Sequence, residues 1–347
     1  MMKSIGRKTC GSMSFRRLVE VAGAGALLLS PSCSNAFAGA SSFSRPIGQA
    51  SDASLGSAAQ RQYSTTKLLA VGEVAFPKPV SVAPGESPVE EQPSLNPIDD
   101  SCTILVVGSS RGIGLEFVKQ CLDKGATVIA AHFPKETPDT LSELKSRHQG
   151  KLHTIHMNLE DEESISSAAS ELTGMENLPS LTHIIHNAGI YLSGASFDGT
   201  ARAGRAATAK VTKEVLMKTF EVNTVAPLLI AQSFVPLLQK RSESLFPVMA
   251  FVSSKVGSVD DNGSGGAYAY RSSKCALNQV AKSLSVDLAD EARVVLLHPG
   301  WVRTDMTNGN GLIDTDESVS GMLKAVEATD ASTGFRFVDY KACQIPW

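Results

Sequence analysis

Several partners are excluded by what this chain of 347 residues has little of. Six cysteines are too few for a disulfide scaffold at this length. Cys102, Cys121, Cys275 and Cys343 form no C-x-x-C pair, which is the pattern of reduced, partly buried thiols. His148, His153, His156, His183 and His186 occur singly or alternate along apolar runs without metal-ligand spacing, so they read as packed or exposed histidines and no metal is expected. Asp260-Asp261-Asn262 lacks the glycine and glutamate offsets of a calcium loop and reads as an ordinary turn. No basic block or stripe follows residue 100, which removes the electrostatic footprint of nucleic-acid binding. The apolar run at 21–29 is about 9 residues, well short of the roughly 20 that a spanning helix needs, so no retained membrane anchor is expected.

What is present divides by charge. The first 70 residues carry 8 basic and 2 acidic side chains, residues 71–100 carry 1 and 6, and the remainder 23 and 27. Lys3, Arg7, Lys8, Arg16 and Arg17 precede the short apolar run, and Ser34-Asn35-Ala36-Phe37-Ala38 follows as a small-residue cleavage site, the order of a secretory signal although Glu20 abuts the apolar run. Residues 37–70 are rich in Ser and Ala and poor in acid, as organelle transit segments are. Residues 1–70 therefore read as a two-part targeting presequence, which resembles the bipartite plastid presequences of algae. A mitochondrial presequence or a plain disordered tail is the alternative. Six prolines and the acidic excess make residues 71–100 an extended linker, with the fold expected to begin near Ser101.

Apolar runs rich in β-branched residues recur at 103–108, 127–132, 152–157, 181–187, 247–253, 293–298 and 334–338, separated by segments long enough for helices. Strands alternating with helices imply a parallel sheet covered on both faces, and 104–107 and 294–297 show no polar alternation, as such strands should not. Right-handed crossovers then build a doubly wound, nucleotide-binding (Rossmann) α/β domain of about seven strands over residues 101–347. Gly125 is expected to end the first helix at positive φ. Residues 194–210, rich in Gly, Ala, Thr and Arg without periodicity, read as a mobile surface loop beside the site.

After the first strand comes Gly108-Ser109-Ser110-Arg111-Gly112-Ile113-Gly114, opening a helix. Glycines there allow a tight turn whose backbone N–H groups approach a pyrophosphate at the positive end of the helix dipole. About 20 residues on, where a carboxylate would hold a free 2′-hydroxyl, the chain reads Ala131-His132-Phe133-Pro134-Lys135, with no acid before Glu136. Arg111, His132 and Lys135 would meet a 2′-phosphate with positive charge or donors, so NADPH is favoured over NADH.

Tyr270 and Lys274 are spaced i, i+4, which on a helix puts both on one face. A neighbouring ammonium lowers a phenol's pKa from about 10 toward neutrality and makes it a usable proton donor. Ser254, at the end of the fifth strand, can hydrogen-bond a carbonyl; Ser253 is the competing serine and Tyr268 the competing tyrosine.

The order glycine turn, Asn187-Ala188-Gly189, Asn223, Ser254, Tyr270, Lys274, Pro299-Gly300 resembles the short-chain dehydrogenase/reductase family across residues 102–347. Ser253-Ser254-Lys255-Val256-Gly257-Ser258, Tyr268-Ala269-Tyr270-Arg271-Ser272-Ser273-Lys274, His298-Pro299-Gly300-Trp301-Val302-Arg303-Thr304-Asp305-Met306 and the closing Ile345-Pro346-Trp347 are similar to its C-factor and sniffer-like carbonyl reductases. The resemblance implies that Tyr270 is the acid–base, that Lys274 binds the nicotinamide ribose and tunes Tyr270, that Ser254 orients the carbonyl, and that Asn223 holds a water in the proton relay. It also implies a cofactor site made of Gly108, Ser110, Arg111, Gly112, Ile113 and Gly114 at the glycine turn. His132, Asn158 and Asn187-Ala188-Gly189 would lie beside the adenosine, and Pro299, Gly300, Val302 and Thr304 near the nicotinamide. His186 and Asn158 depart from the family pattern, which more often has asparagine and aspartate there. The implied activity is NADPH-dependent reduction of a small-molecule carbonyl compound, by a homodimer, homotetramer or monomer. Rival readings are a non-catalytic NADPH-binding sensor or interaction protein, and a plastid acyl-thioester reductase. Tyr191, the 194–210 loop and residues 305–315 are expected to form the substrate pocket.

Overall fold

The computed structural model describes residues 94–347. The expected presequence and residues 71–93 of the expected linker lie outside the described residues.

Thr103-Ile-Leu-Val-Val forms a strand buried at every position (β1, Thr103–Val107). Six more follow: β2 (Thr127–His132), β3 (Leu152–His156), β4 (His183–His186), β5 (Val248–Val252), β6 (Arg293–His298) and β7 (Arg336–Asp339). All pair in parallel in the order β3-β2-β1-β4-β5-β6-β7. Unalternated apolar strands are what a sheet covered on both faces requires. Ile104 and Val106 face helices α1 (Gly112–Asp123), α2 (Asp139–Arg147) and α7 (Thr315–Glu327) through Phe117, Leu141 and Leu323. Leu105 and Val107 face α3 (Glu162–Gly174), α5 (Ala226–Phe234) and α6 (Tyr268–Asp287) through Ile165, Phe234 and Leu277. Helix α4 (Lys213–Phe220) leads into α5 through a π-helical turn at Glu221–Val225. The doubly wound fold is as expected, with Gly125 at φ +89° just beyond α1.

The strand order reverses between β1 and β4, and a ligand crevice opens where the connections from those two strands diverge. Asn187 and Ala188 donate their N–H groups to Val107 O (3.1 and 3.0 Å), locking the turn after β4 against the end of β1.

Three expectations are revised. The strands stop one or two residues short of several expected ends, most visibly β4, where Leu181 forms only an isolated bridge to Leu238. The linker does not run to residue 100. Leu95 and Asn96 donate to Glu327 O (2.9 and 2.7 Å), while Asn96 and Ile98 are buried, because Arg241 and Glu327 offer partners to this segment. Residues 194–210 have structure of their own, with bridges Ser196–Lys210 and Arg202–Arg205 and an Arg202–Asp198 ion pair. At the far end, Ile345 N donates to Phe337 O (2.8 Å) and the Trp347 ring stacks on Phe335 at 5.3 Å.

Candidate active site

The glycine turn is shaped by what it must approach. Gly108 and Ser109 donate to Ala131 O (3.0 and 3.1 Å), so the chain leaves β1 and crosses the end of β2. A Cβ on Gly108, whose φ is +81°, would sit 2.8 Å from Ala188 Cα, and one on Gly114 would sit 1.9 Å from Gly108 O. Asn187 Nδ2 donates to that same oxygen (3.1 Å). Helix α1 starts at Gly112 with Arg111 as an N-cap that makes no side-chain cap, and no acid occupies its first turn. Its first N–H groups are therefore left for an anion. Ser110 is half-buried on this turn, and Arg111 reaches across to Asp305 (2.5 Å), both side chains being three-quarters exposed.

At the end of β2, Lys135 is exposed, but His132 is buried with Nδ1 2.8 Å from Pro134 O and Nε2 3.5 Å from Thr137 Oγ1. Burial holds its imidazole below the usual pKa, so it packs as a neutral ring and does not add a cation for a 2′-phosphate. Asn158 Oδ1 accepts from Glu160 N (3.1 Å) at the end of β3.

The four expected catalytic side chains converge. Ser254 follows β5 and caps the 3₁₀ turn Lys255–Gly257. Ser253, which also borders the cavity, has its hydroxyl engaged by Asn278 Oδ1 (2.6 Å), whereas that of Ser254 meets Tyr270. Tyr270 lies one turn into α6, hydrogen-bonded to Ser254, with its ring 5.1 Å from that of Tyr191. Tyr268 is 43% exposed and meets Phe197 instead. Lys274, a turn beyond Tyr270, donates to Val252 O (3.0 Å). Gly257 lets α6 come this close, since a Cβ there would be 2.8 Å from Lys274 Cβ.

Asn223 is buried in the π-helical turn, a geometry that recurs at functional sites because it re-aims one side chain out of helical register. Its Oδ1 accepts from Ile190 N (2.8 Å), and its Nδ2 donates to Ile190 O (2.9 Å) and Ser273 Oγ (3.1 Å). Gly189 fits between them: a Cβ there would be 3.2 Å from Lys274 Nζ and 3.3 Å from Asn223 Oδ1.

Burial dominates the electrostatics. It pushes the Tyr270 phenol up to about 12, against a lowering hydrogen bond from Ser254, and the Lys274 ammonium down to about 8. The expected depression of Tyr270 by Lys274 is absent from this arrangement. The lysine stands 5.9 Å from the phenol ring centroid and is held by the Val252 carbonyl, so desolvation of each group outweighs their mutual attraction. His183 and His186, both buried, are pushed down to about 3 by desolvation and are neutral packing groups, and His298, half-buried on the cavity wall, is pushed down likewise.

A cavity of about 150 Å³ joins these parts, touching Ile113 of the glycine turn, Ser254, Tyr270 and the turn after β6. That turn holds Pro299 O through Ser318 Oγ (2.6 Å) and passes Gly300 at φ +83°. Val302 bridges Ile313, and Thr304 and Thr307 cap each other. Lys255, Arg271 and Trp301, named from sequence only as members of motifs, and Asp261, read there as part of an ordinary turn, also line the cavity. Only the position of Arg271, next to the candidate tyrosine, could have drawn attention to it.

The family model described as short chain dehydrogenase matches residues 102–312. The chain belongs to the short-chain dehydrogenase family. C-signal of Myxococcus xanthus is 40% identical over 133 residues, covering 38% of this chain and 78% of that protein. A 1-hydroxy-2-glutathionyl-2-methyl-3-butene dehydrogenase of Rhodococcus is 28% identical over 250 residues, 71% of this chain and 99% of the relative. Among solved structures, the NADPH-bound carbonyl reductase from chicken fatty liver matches with a TM-score of 0.62 at 30% identity, covering 73% of this chain and 96% of its own. Carbonyl reductase Sniffer of D. melanogaster matches at 0.61 and 29%, covering 71% and 99%. These neighbours agree with the sniffer-like resemblance read from the motifs. This short-chain dehydrogenase also fits a dinucleotide by its own geometry. The uncapped start of α1, the Cβ-intolerant Gly108 and Gly114, and a cavity running from Ile113 to Tyr270 form a continuous cradle.

Proposed function

We propose that this short-chain dehydrogenase is an NADPH-dependent reductase that converts an aldehyde or ketone to the alcohol. One observation carries the reading: a Ser254–Tyr270 hydrogen bond on the wall of a cavity that also reaches the glycine turn, with buried Lys274 one helical turn away. Bound NADPH supplies the hydride to the carbonyl carbon. Ser254 Oγ and the Tyr270 hydroxyl donate hydrogen bonds to the carbonyl oxygen, and Tyr270 gives up its proton as the alcohol forms. Its high pKa keeps the phenol protonated at neutral pH, ready to donate. Lys274 and Tyr270 hold the nicotinamide ribose, and Asn223, fixed to Ile190 beside Lys274, positions the path that returns a proton to the phenol.

Gly108, Ser110, Gly112, Ile113 and Gly114 receive the pyrophosphate, with Arg111 and Lys135 at the 2′-phosphate. Asn158, Asn187, Ala188 and Gly189 flank the adenosine side, and Pro299, Gly300, Val302 and Thr304 the nicotinamide side. NADPH- and NADP-bound neighbours support the choice of cofactor. A non-catalytic sensor has no need of a phenol, a hydroxyl and a buried ammonium brought together, which favours the enzyme over that rival.

NADPH oxidation against aldehydes, quinones, diketones and acyl thioesters, run beside Tyr270→Phe, tests the assignment. Turnover by the parent and its loss in a variant that still binds NADPH is the expected result. Tight NADPH binding without oxidation of any substrate would favour the sensor. We also propose that residues 1–70 address the protein to a plastid. A fluorescent fusion of residues 1–100 that stained the cytosol uniformly would end that idea, and one that stained mitochondria would replace it. A homodimer or homotetramer is proposed for the assembly, to be read by light scattering.

A further inference from the structure

The wall of the cavity opposite the glycine turn is rich in donors. Arg271, the residue after Tyr270, is 8% exposed and lines the cavity. Its Nη1 donates to Val256 O (3.0 Å) and its Nη2 to Ser264 Oγ (2.7 Å), but its Nε is buried with no partner. Trp301 Nε1, which can only donate, is likewise buried and unpartnered on the same cavity. A buried donor without an acceptor costs about 1–3 kcal/mol, so two in the wall of one cavity favour an accepting occupant over an apolar one.

Charge points the same way. Lys255 and Arg271 line the cavity with a single acid, Asp261, which lies 3.5 Å from Lys255. A third cation stands behind them. Arg205, from the 194–210 segment, presses on Gly265 and Gly266 so closely that a Cβ on Gly266 would be 3.0 Å from its Cζ, and its Nη1 is also buried and unpartnered. The two guanidiniums repel: Arg205 is among the causes that lower the Arg271 pKa, after burial. Asp261 and Tyr191 offset part of that repulsion, and a bound anion would offset more of it.

The backbone adds to this. Gly265, Gly266 and Ala267 follow one another at φ +63°, +70° and +46°, and Ala267 lines the cavity as the N-cap of α6. A non-glycine residue in that region costs roughly 1–3 kcal/mol. Helix α6 is 20 residues long and begins there with no side-chain cap and no acid in its first turn. Its positive end thus opens where Arg271 and Arg205 converge.

We propose that the substrate of this site is a carbonyl compound carrying an anionic group, and that Arg271, backed by the charge of Arg205 and the start of α6, binds that group. The inference rests on the reductase reading and narrows its substrate class. A carboxylate and a phosphate share the required chemistry. Asp261, 3.5 Å from Lys255, also acts on Arg271, so it tempers both cations on this wall.

The test compares kcat/KM for matched pairs at neutral pH: 4-carboxybenzaldehyde against its methyl ester, and glyceraldehyde 3-phosphate against glyceraldehyde. At least one anionic member should exceed its neutral partner about tenfold or more, and the pair that does so separates carboxylate from phosphate. Arg205→Gln and Arg271→Lys should each cut that ratio several-fold while KM for NADPH is unchanged. If Arg271 merely staples the 256–264 segment, its replacement lowers both members equally, which overturns the proposal. Arg205→Gln, on the surface segment, keeps the question answerable if Arg271→Lys does not fold. Turnover of neutral members with no anionic preference sinks this inference and leaves the reductase intact. If nothing is reduced, calorimetry on the NADP-loaded protein with 4-(hydroxymethyl)benzoate and glycerol 3-phosphate decides separately. Binding weakened by Arg205→Gln upholds the anion site without the reductase reading, and no binding of either overturns it.

Discussion

Tyr270, Ser254 and Lys274 gain their chemistry from being brought together at the edge of the core, and each can be examined alone. Tyr270→Phe removes the proton donor and keeps the ring against Tyr191, so kcat should fall by roughly 10²–10⁴ with NADPH affinity unchanged. A fall under about threefold would put the proton elsewhere. Lys274 makes a separate prediction through its pKa, about 8 in the fold against the ordinary 10.5 of an exposed lysine. Between those values the unfolded chain holds a proton the native state lacks, so stability rises with pH there. Lys274→Met removes the charge and with it a penalty that is full below pH 8 and gone above 10.5. The variant should therefore be inactive, and its stability relative to the parent should be greatest at about pH 7 and shrink toward about pH 10 in urea melts. A difference independent of pH would show that the lysine enters the native state without penalty. Arg111 is tied to Asp305 only by a solvent-exposed pair, which is weak and free to exchange. Arg111→Gln should raise KM for NADPH about tenfold and leave KM for NADH alone, the loss of a charge-assisted contact to a 2′-phosphate. These side chains were legible in sequence because helical spacing and strand ends place them. Lys255 and Asp261 were not, because an ion pair across a turn has no period, and the buried ring of His132 looked like any polar residue at a strand end.

Elements show the same division between what repeats and what does not. Seven strands announced themselves as β-branched runs because both faces of the sheet are covered and no polar alternation interrupts them. The glycine turn was legible for a steric reason, since Gly108 and Gly114 have no room for a Cβ. Gly114→Ala would push against Gly108 O and the Asn187 amide, and should lower the melting temperature and abolish measurable NADPH binding. Gly174→Ala at the end of α3, where a Cβ meets nothing within 4 Å, should be neutral or stabilising by up to about 1 kcal/mol. Equal behaviour of the two in thermal melts and fluorescence titration would remove the steric account of the turn. The π-helical turn at Glu221–Val225 left no mark in sequence. Its one extra residue per turn is offset by hydrogen bonds from Asn223 to Ile190 and Ser273, which are tertiary and fall on segments 33 and 50 residues away.

At the scale of the whole molecule, the boundary of the fold is where sequence composition misled. Proline and acid dominate residues 71–100, yet the last of them are held by partners more than 140 residues away. Arg241 donates to Asn96 Oδ1, Pro97 O and Asp99 Oδ1, and Ile98 N donates to the Glu327 carboxylate (3.0 Å). Such partners are invisible to a local reading, which sees only a chain without periodicity. The consequence is quantitative. Removing residues 1–93 should leave the unfolding midpoint of the described domain unchanged, because its sheet and both of its apolar layers are built from residues after 93. Removing residues 1–101 exposes the pocket that buries Ile98, worth about 1.5–3 kcal/mol. It also strands the Arg241 guanidinium, whose side chain is only 10% exposed, and leaves Glu327 paired with Lys124 alone. With roughly 1 kcal/mol for each of the four hydrogen bonds lost at buried Asn96, the deficit is on the order of 5–7 kcal/mol. At about 2–4 °C per kcal/mol for a domain of this size, the midpoint should drop by about 10–25 °C. Calorimetry on the two truncations settles it: equal midpoints would mean that the 94–100 segment only rests on the surface, and that the fold does begin near Ser101.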